Sequence, residues 1–246
     1  MADENYLFMK SYKCPCCDAD FKSPTVKSGK TRTNGADLDL RPHFVEIDST
    51  KYEVISCPYC GYSTMSRFWG NLSALQKEKV WEVMDGKFVP NAELATRTYA
   101  DGMEAYKLAL LTSTAAYKPE SEKAYIYLKS AWMLRGWQET LVDTNPDLAA
   151  KLHTRECDFL VKALEGFETA CTREEFPMCG MDSDTMNYLQ AALNIKTNRF
   201  DVATRLISAI MSSPTASPRI KDKARDLKEE CMTQKKKFDA AQKAQA

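Results

Sequence analysis

The spacing of apolar residues changes near residue 70. Before that point, short alternating stretches are separated by turn-forming pairs such as Ser23-Pro24 and Asn34-Gly35, a pattern typical of short strands and tight turns. After Leu72, apolar residues recur every three or four positions, as on one face of an amphipathic helix. The pattern predicts an α+β fold, mainly α, with a small β module over residues 1–70 and a helical domain over 71–246.

Prolines and polar corners divide the helical part. Pro119 and Pro146 suit the first turn of a helix, where the missing N–H is not needed. We expect a pair of helices over 92–116 and 120–136, a helix from Pro146 towards Phe167, one capped by Asp182 or Ser183, one from a tight corner at 198–201 to Ser212, and a last one from about Pro218 to Phe238.

Four cysteines form the sharpest motif in the chain. Cys14 and Cys17 make one C-x2-C pair, and Cys57 and Cys60 make another after a gap of 39 residues. Zinc takes four thiolates at tetrahedral corners, and each C-x2-C turn presents two sulfurs from one tight knuckle. A shell of four sulfurs leaves no open position, so we expect one structural Zn per chain. The gap is longer than in simple zinc-ribbon patterns.

A redox role is the main alternative to zinc for these cysteines. A redox dithiol usually has its C-x-x-C motif at a helix start within a βαβ unit, a context that the turn-rich flanks here do not provide. Cys16 could bind metal only through a C-x-C bite, so we interpret it as a non-ligand. The remaining cysteines fall at or near apolar helical positions, where we expect small core residues; they are Cys157, Cys171, Cys179 and Cys231.

Three further motifs have both a functional and a structural interpretation. Residues 28–31, Ser-Gly-Lys-Thr, resemble the end of a phosphate-binding loop but lack its first glycine and its strand, so we predict a solvated turn. Asp37, Asp39 and Arg41 alternate with leucines, which predicts a strand whose carboxylates pair with basic residues or, alternatively, serve acid/base or magnesium chemistry. His43 and His153 have no nucleophile pattern beside them. The sequence therefore does not favour an enzyme.

Composition narrows the class of protein. The chain has 246 residues with 34 basic and 34 acidic side chains, 44% hydrophobic and 10% aromatic residues, which fits a folded protein and excludes a disordered one. Residues 179–246 carry 12 basic and 8 acidic side chains, a small excess for a nucleic-acid binder. The first residues are acidic and no run of about 18 apolar residues occurs, so we expect a cytoplasmic protein.

Two resemblances complete the prediction. Residues 188–203, with Ala203 opening the second helix, resemble one unit of a tetratricopeptide repeat, whose stacked helix pairs form a concave binding face. The chain as a whole resembles the bacterial family called domain of unknown function 2225. The segments that carry this resemblance are Cys14-Pro15-Cys16-Cys17 with Phe21, Gly29-Lys30, Asp37-Leu38-Asp39-Leu40-Arg41-Pro42, Tyr52, Cys57-Pro58-Tyr59-Cys60-Gly61-Tyr62, Ala131-Trp132-Met133-Leu134-Arg135 and Pro177-Met178-Cys179-Gly180-Met181-Asp182.

The resemblance implies a ribbon-like metal module followed by a repeat-like helical domain, and it implies no activity. Our functional hypothesis is a non-enzymatic cytoplasmic adaptor that binds a protein or peptide in a groove between the helices of residues 92–136 and 183–237. The alternative is a nucleic-acid-associated zinc-ribbon regulator, in which the ribbon and the basic last helix contact RNA or DNA.

Overall fold

The computed structural model describes residues 3–89 and 94–245 of the chain, and it confirms the α+β, mainly α fold class. Within the described residues, six strands lie between residues 7 and 65, in three separate two-stranded antiparallel sheets. These pairs are β1 (Leu7–Lys13) with β2 (Asp20–Val26), β3 (Thr33–Ala36) with β4 (Pro42–Phe44), and β5 (Val54–Ser56) with β6 (Ser63–Met65).

Seven α-helices follow in the described part of the chain. They are α1 (Ala74–Met84), α2 (Tyr99–Ala115), α3 (Glu120–Glu139), α4 (Pro146–Cys171), α5 (Ser183–Lys196), α6 (Phe200–Ser212) and α7 (Pro218–Gln245). None of the helices in the described ranges combines the length and the apolar character needed to cross a lipid bilayer.

Local capping explains where several helices begin. The side chain of Thr98 accepts from the Asp101 N–H, and the Asp101 carboxylate accepts from the Thr98 N–H, which is a capping box. The helix predicted from residue 92 therefore begins only at Tyr99, and residues 90–93 lie outside the described part. Asp182, rather than Ser183, caps α5 by accepting from the Thr185 N–H at 2.7 Å.

The prolines behave as predicted at one helix and differently at the other. Pro146 opens α4 behind the cap residue Asn145. Pro119 occupies the cap position before α3, with an extended ψ of 150°, so it precedes the first turn that we predicted for it. At the corner after α5, Asn198 adopts the left-handed region with φ 61°, as the predicted tight corner requires.

Two apolar clusters join helices α3 to α7. One joins α3, α4 and α5 through Leu128, Phe167 and Leu193. At this contact a Cβ added to Gly166 would lie 2.8 Å from the Cβ of Ala124, so glycine permits the close approach of α3 and α4. The other cluster joins α5, α6 and α7; its largest buried members are Tyr188, Phe200, Ile207 and Leu227.

The β part and the helical part share a core across residue 70. Val54 of β5 and Met65 of β6 lie in one apolar cluster with Tyr106 of α2. The hydroxyl of Thr112, also on α2, donates to the carbonyl of Ser63 at 2.5 Å. Strands β5 and β6 therefore rest on α2, and the division into residues 1–70 and 71–246 stays a prediction.

The segment predicted as a strand around Asp37 is instead a turn. Between β3 and β4, the Asp37 N–H donates to the Arg41 carbonyl at 2.8 Å and the Leu40 N–H donates to the Asp37 carbonyl at 2.9 Å. Leu40 has φ 69°, which no strand permits. The turn enters the helical part, where Leu40 contacts both apolar clusters and Asp39 is completely buried.

Candidate metal centre

The first C-x2-C pair lies in a turn directly after β1. The Asp18 N–H donates to the carbonyl of Cys14 at 3.0 Å, and the Cys14 N–H donates to the carbonyl of Ala19 at 2.9 Å. The Cys16 N–H points at the Cys14 sulfur, with an N···Sγ distance of 3.4 Å. Asp18 closes the turn with φ 60°. These contacts direct the sulfurs of Cys14 and Cys17 to the same side of the turn.

The second pair lies in the turn between β5 and β6, which repeats this backbone pattern. The Gly61 N–H donates to the Cys57 carbonyl at 3.0 Å, and the Cys57 N–H donates to the Tyr62 carbonyl at 2.9 Å. Gly61, at φ 75°, takes the position that Asp18 has in the first turn. The two knuckles are thus equivalent. Both have the sequence C-P-x-C, followed directly by a residue at positive φ.

The four sulfurs meet between the two knuckles. All of them lie within 4.8 Å of one another. The Sγ atoms of Cys14 and Cys60 are 3.6 Å apart, and those of Cys17 and Cys57 are 3.7 Å apart. A tetrahedral ion with bonds of about 2.3 Å to sulfur requires edges of about 3.8 Å. The distances and the four soft sulfur donors therefore fit a zinc ion.

Apolar and aromatic side chains enclose the cluster. Cys14, Cys57 and Cys60 are buried, whereas Cys17 is partly exposed. Trp69 lies 5.5 to 5.9 Å, between ring centroids, from three neighbouring aromatic rings, those of Tyr12, Phe21 and Tyr62. Helix α1 covers the same apolar cluster with Val80 and Met84. This shell limits access of water to the sulfurs.

The thiols also influence one another electrostatically. Hydrogen bonding to Cys14 lowers the pKa of Cys57 and raises the pKa of Cys60. Hydrogen bonding to Cys60 lowers the pKa of Cys16, which is buried beside the cluster. Cys16 is not one of the four residues whose ligand atoms meet within 4.8 Å. Because no metal ion is present to identify the ligands, its interpretation as a non-ligand stays a prediction.

The carboxylates predicted near Asp37 pair with arginines. Arg135 of α3 contacts Asp37 at 2.5 Å, Asp39 at 2.7 Å and Glu156 of α4 at 2.7 Å. Arg41 binds both carboxylate oxygens of Glu139 at 2.6 Å. These charges form an ion-pair network that joins the β3–β4 turn to α3 and α4. The structural interpretation of the motif, pairing with basic side chains, describes this geometry.

Asp37 has a second contact that fixes its charge. The Nε2 atom of His43 lies 2.6 Å from Asp37 Oδ1. Burial opposes ionisation, but hydrogen bonds from His43 and Arg135 outweigh it and lower the pKa of Asp37 to about 2. The carboxylate is therefore charged at neutral pH and stabilises the network.

The remaining sequence candidates are only partly where we predicted them. Residues 28–31 form an exposed turn, as expected. Cys231 is buried, but the prediction of core positions is wrong for Cys157 and Cys171, which are exposed on α4. Cys179 is partly buried, and its sulfur donates to the Ser121 carbonyl at 3.3 Å.

The sequence analysis missed one contact between chemically active side chains. Cys157 Sγ lies 3.8 Å from Nε2 of His153, one helical turn earlier on α4. The pair matches neither H-E-x-x-H nor a known nucleophile motif. The four-residue spacing was the available signal, since positions i and i+4 share a helix face.

The fold and the cysteine cluster define a mainly helical protein with a four-thiol centre in its β part. Comparison with protein families agrees over most of the chain. Residues 7–231 match the family described as uncharacterized protein conserved in bacteria (DUF2225), and the chain belongs to this family. No curated protein and no solved structure gives a significant match.

Proposed function

We propose that this protein is a non-enzymatic cytoplasmic adaptor in which a structural zinc ion, bound by Cys14, Cys17, Cys57 and Cys60, stabilises the β part. The observation that supports this most is the fit of the sulfur–sulfur distances to one tetrahedral ion. Four sulfur ligands leave no position for substrate or water, which favours a structural role over a catalytic one. Clustered thiols that bind metal suit a reducing compartment.

Zinc would supply four bonds that join two segments with little apolar core of their own. Sites of this type contribute apparent binding energies of about 10–16 kcal/mol. In this chain, the two knuckles would hold the metal, and Trp69 with its neighbouring rings would exclude water from the sulfurs. Because β5 and β6 rest on α2, the ion would also stabilise the platform that meets the helical domain.

The helical domain supplies the proposed binding surface. A cavity of about 450 Å³ lies between α5, α7 and the β3–β4 turn. Its walls combine the apolar side chains of Ile195 and Leu227 with the polar side chains of Lys196, Glu230 and Gln234. A groove with apolar walls and a few polar groups suits a peptide segment, and it lies among the helices where the tetratricopeptide-like arrangement predicts a concave face.

The zinc part of the proposal is tested by one pair of variants. Native mass spectrometry and elemental analysis should find one zinc per chain in the wild type and in Cys16→Ser. The Cys57→Ser variant should lose the metal and the ordered β part while α-helical circular dichroism persists. Wild-type protein that is metal-free yet fully folded, or zinc loss from Cys16→Ser alone, would contradict the ligand assignment.

The adaptor part needs a test that separates groove binding from nonspecific capture. Gln234→Trp fills the cavity, and Lys236→Trp places the same ring on the exposed opposite side of α7 as a matched control. Zinc-loaded bait should recover a protein that is lost with Gln234→Trp and kept with Lys236→Trp. Equal recovery by both variants would contradict the groove. Salt-dependent oligonucleotide binding without a protein partner would favour the nucleic-acid alternative.

A further inference from the structure

His153 and Cys157 form a pair of potential ligands on the outer face of α4. Their four-residue separation places them one above the other on the helix. Nε2 of His153 and Sγ of Cys157 are 3.8 Å apart. The His153 side chain is 65% exposed, and Cys157 is exposed as well. Both side chains are therefore exposed to solvent, far along the chain from the four-cysteine centre.

A buried carboxylate faces the other side of the imidazole. Nδ1 of His153 lies 3.6 Å from Oε2 of Glu156, whose side chain is only 5% exposed. Glu156 is itself fixed, because it accepts from Arg135 Nε at 2.7 Å and from Gln138 Nε2 at 2.9 Å. Metal-binding histidines commonly direct their second nitrogen to a carboxylate, which sets the tautomer and the ring orientation. Glu156 is thus placed to orient the imidazole, with Nε2 on the side of Cys157.

We propose that His153 and Cys157 form a second metal site for a thiophilic divalent cation such as Zn²⁺, with Glu156 as its orienting residue. For tetrahedral zinc, bonds of about 2.0 Å to nitrogen and 2.3 Å to sulfur place these two atoms about 3.5 Å apart. The observed separation of 3.8 Å needs only a small side-chain adjustment. Binding releases the thiol proton of Cys157 and leaves two positions for water or for a ligand from another molecule.

A nucleophilic cysteine is the competing use of the same pair. Such a cysteine needs a stabilised thiolate, whereas partial desolvation of the thiol against the helix surface, followed by the charge of Glu156, raises the pKa of Cys157. A metal ion reverses this preference, because a coordinated thiol is deprotonated outright. The arrangement therefore favours metal binding over covalent catalysis.

Peptide-resolved alkylation tests the site, and α4 contains its own control. Cys171 is also exposed on α4, but the residue four positions before it is Phe167. In full-length protein already loaded at the four-cysteine centre, added Zn²⁺ should slow iodoacetamide labelling of Cys157 by about tenfold or more, because bound thiolate is shielded. Labelling of Cys171 should not change. His153→Ala, an exposed substitution that a helix tolerates, should remove the protection of Cys157.

The outcomes separate cleanly. Protection of Cys157 that depends on His153 supports the site. Equal protection of Cys157 and Cys171, protection that persists in His153→Ala, or no protection by millimolar zinc would each overturn it. The differences between Cys157 and Cys171, and between wild type and His153→Ala, do not depend on whether the adaptor function is correct.

Discussion

Replacing Arg135 by methionine should destabilise the protein strongly, because it leaves a buried carboxylate without its main partner. Without the guanidinium, Asp37 keeps His43 at 2.6 Å and Glu156 keeps Gln138 at 2.9 Å. Asp39 is completely buried and, among the residues that the structure describes, keeps one charged partner, Lys196, at 4.0 Å. Removing one partner of a buried ion pair costs about 3–5 kcal/mol. For a chain of this length, that lowers the melting temperature by about 6–20 °C.

Thermal unfolding followed by circular dichroism, at neutral pH with zinc present, measures this effect. Arg32→Met is the matched control, since Arg32 is 72% exposed in its pair with Glu46, and exposed pairs contribute little. The double variant Arg135→Met with Asp39→Asn removes the isolated charge and should regain part of the lost stability. If Arg135→Met has the same melting temperature as the Arg32→Met control, or if the double variant is no more stable than Arg135→Met, the network does not stabilise the fold.

Two further predictions concern pH and the second knuckle. Because the folded pKa of Asp37 is about 2 against an ordinary 3.8, the stability it adds over Asp37→Asn should be complete above about pH 4 and decline towards pH 2; urea titrations that give a pH-independent difference would contradict this. Gly61→Ala should cost about 2–4 kcal/mol, from positive φ and from overpacking, because its Cβ would lie 2.2 Å from Met84 and 2.6 Å from Phe88. Asp18→Gly, at the equivalent position, should unfold at the wild-type temperature, and a similar loss in both variants would refute the steric argument.

Features with a local signal were predictable from the sequence. The C-x2-C pairs bring their sulfurs together through turns of a few residues, and Asp182 and Asn198 carry the capping and corner chemistry of their own segments. The start of α2 also has a local signal, because Thr98 and Asp101 form a capping box. The prediction from residue 92 relied on apolar periodicity and did not use this signal. In each of these cases the deciding contacts lie within about five residues along the chain.

Features decided by distant contacts were not predictable in this way. Residues 37–41 alternate polar and apolar side chains, as a strand does, but they form a turn. The partner that draws Asp39 inward is Arg135, 96 residues later in the chain, and no local pattern reports such a pair. Cys157 shows a related limit. It directly follows the buried Glu156 on α4. For a residue at the border of the buried face, the 3.6-residue period of the helix does not determine whether its side chain is buried or exposed.

The meeting of Cys17 with Cys57 has a topological consequence for the segment between them. With these sulfurs 3.7 Å apart, residues 18–56 trace a closed ring of chain, and the β3–β4 turn is a second point at which that ring is fastened, through Arg135. Closing a flexible loop of this size costs about 3 kcal/mol of chain entropy. The interaction that holds the four sulfurs together offsets this entropy cost. The β3–β4 turn is then already tethered near α3, which raises its effective concentration for the contact with Arg135. The cysteines thereby assist an ion-pair network in which they take no direct part.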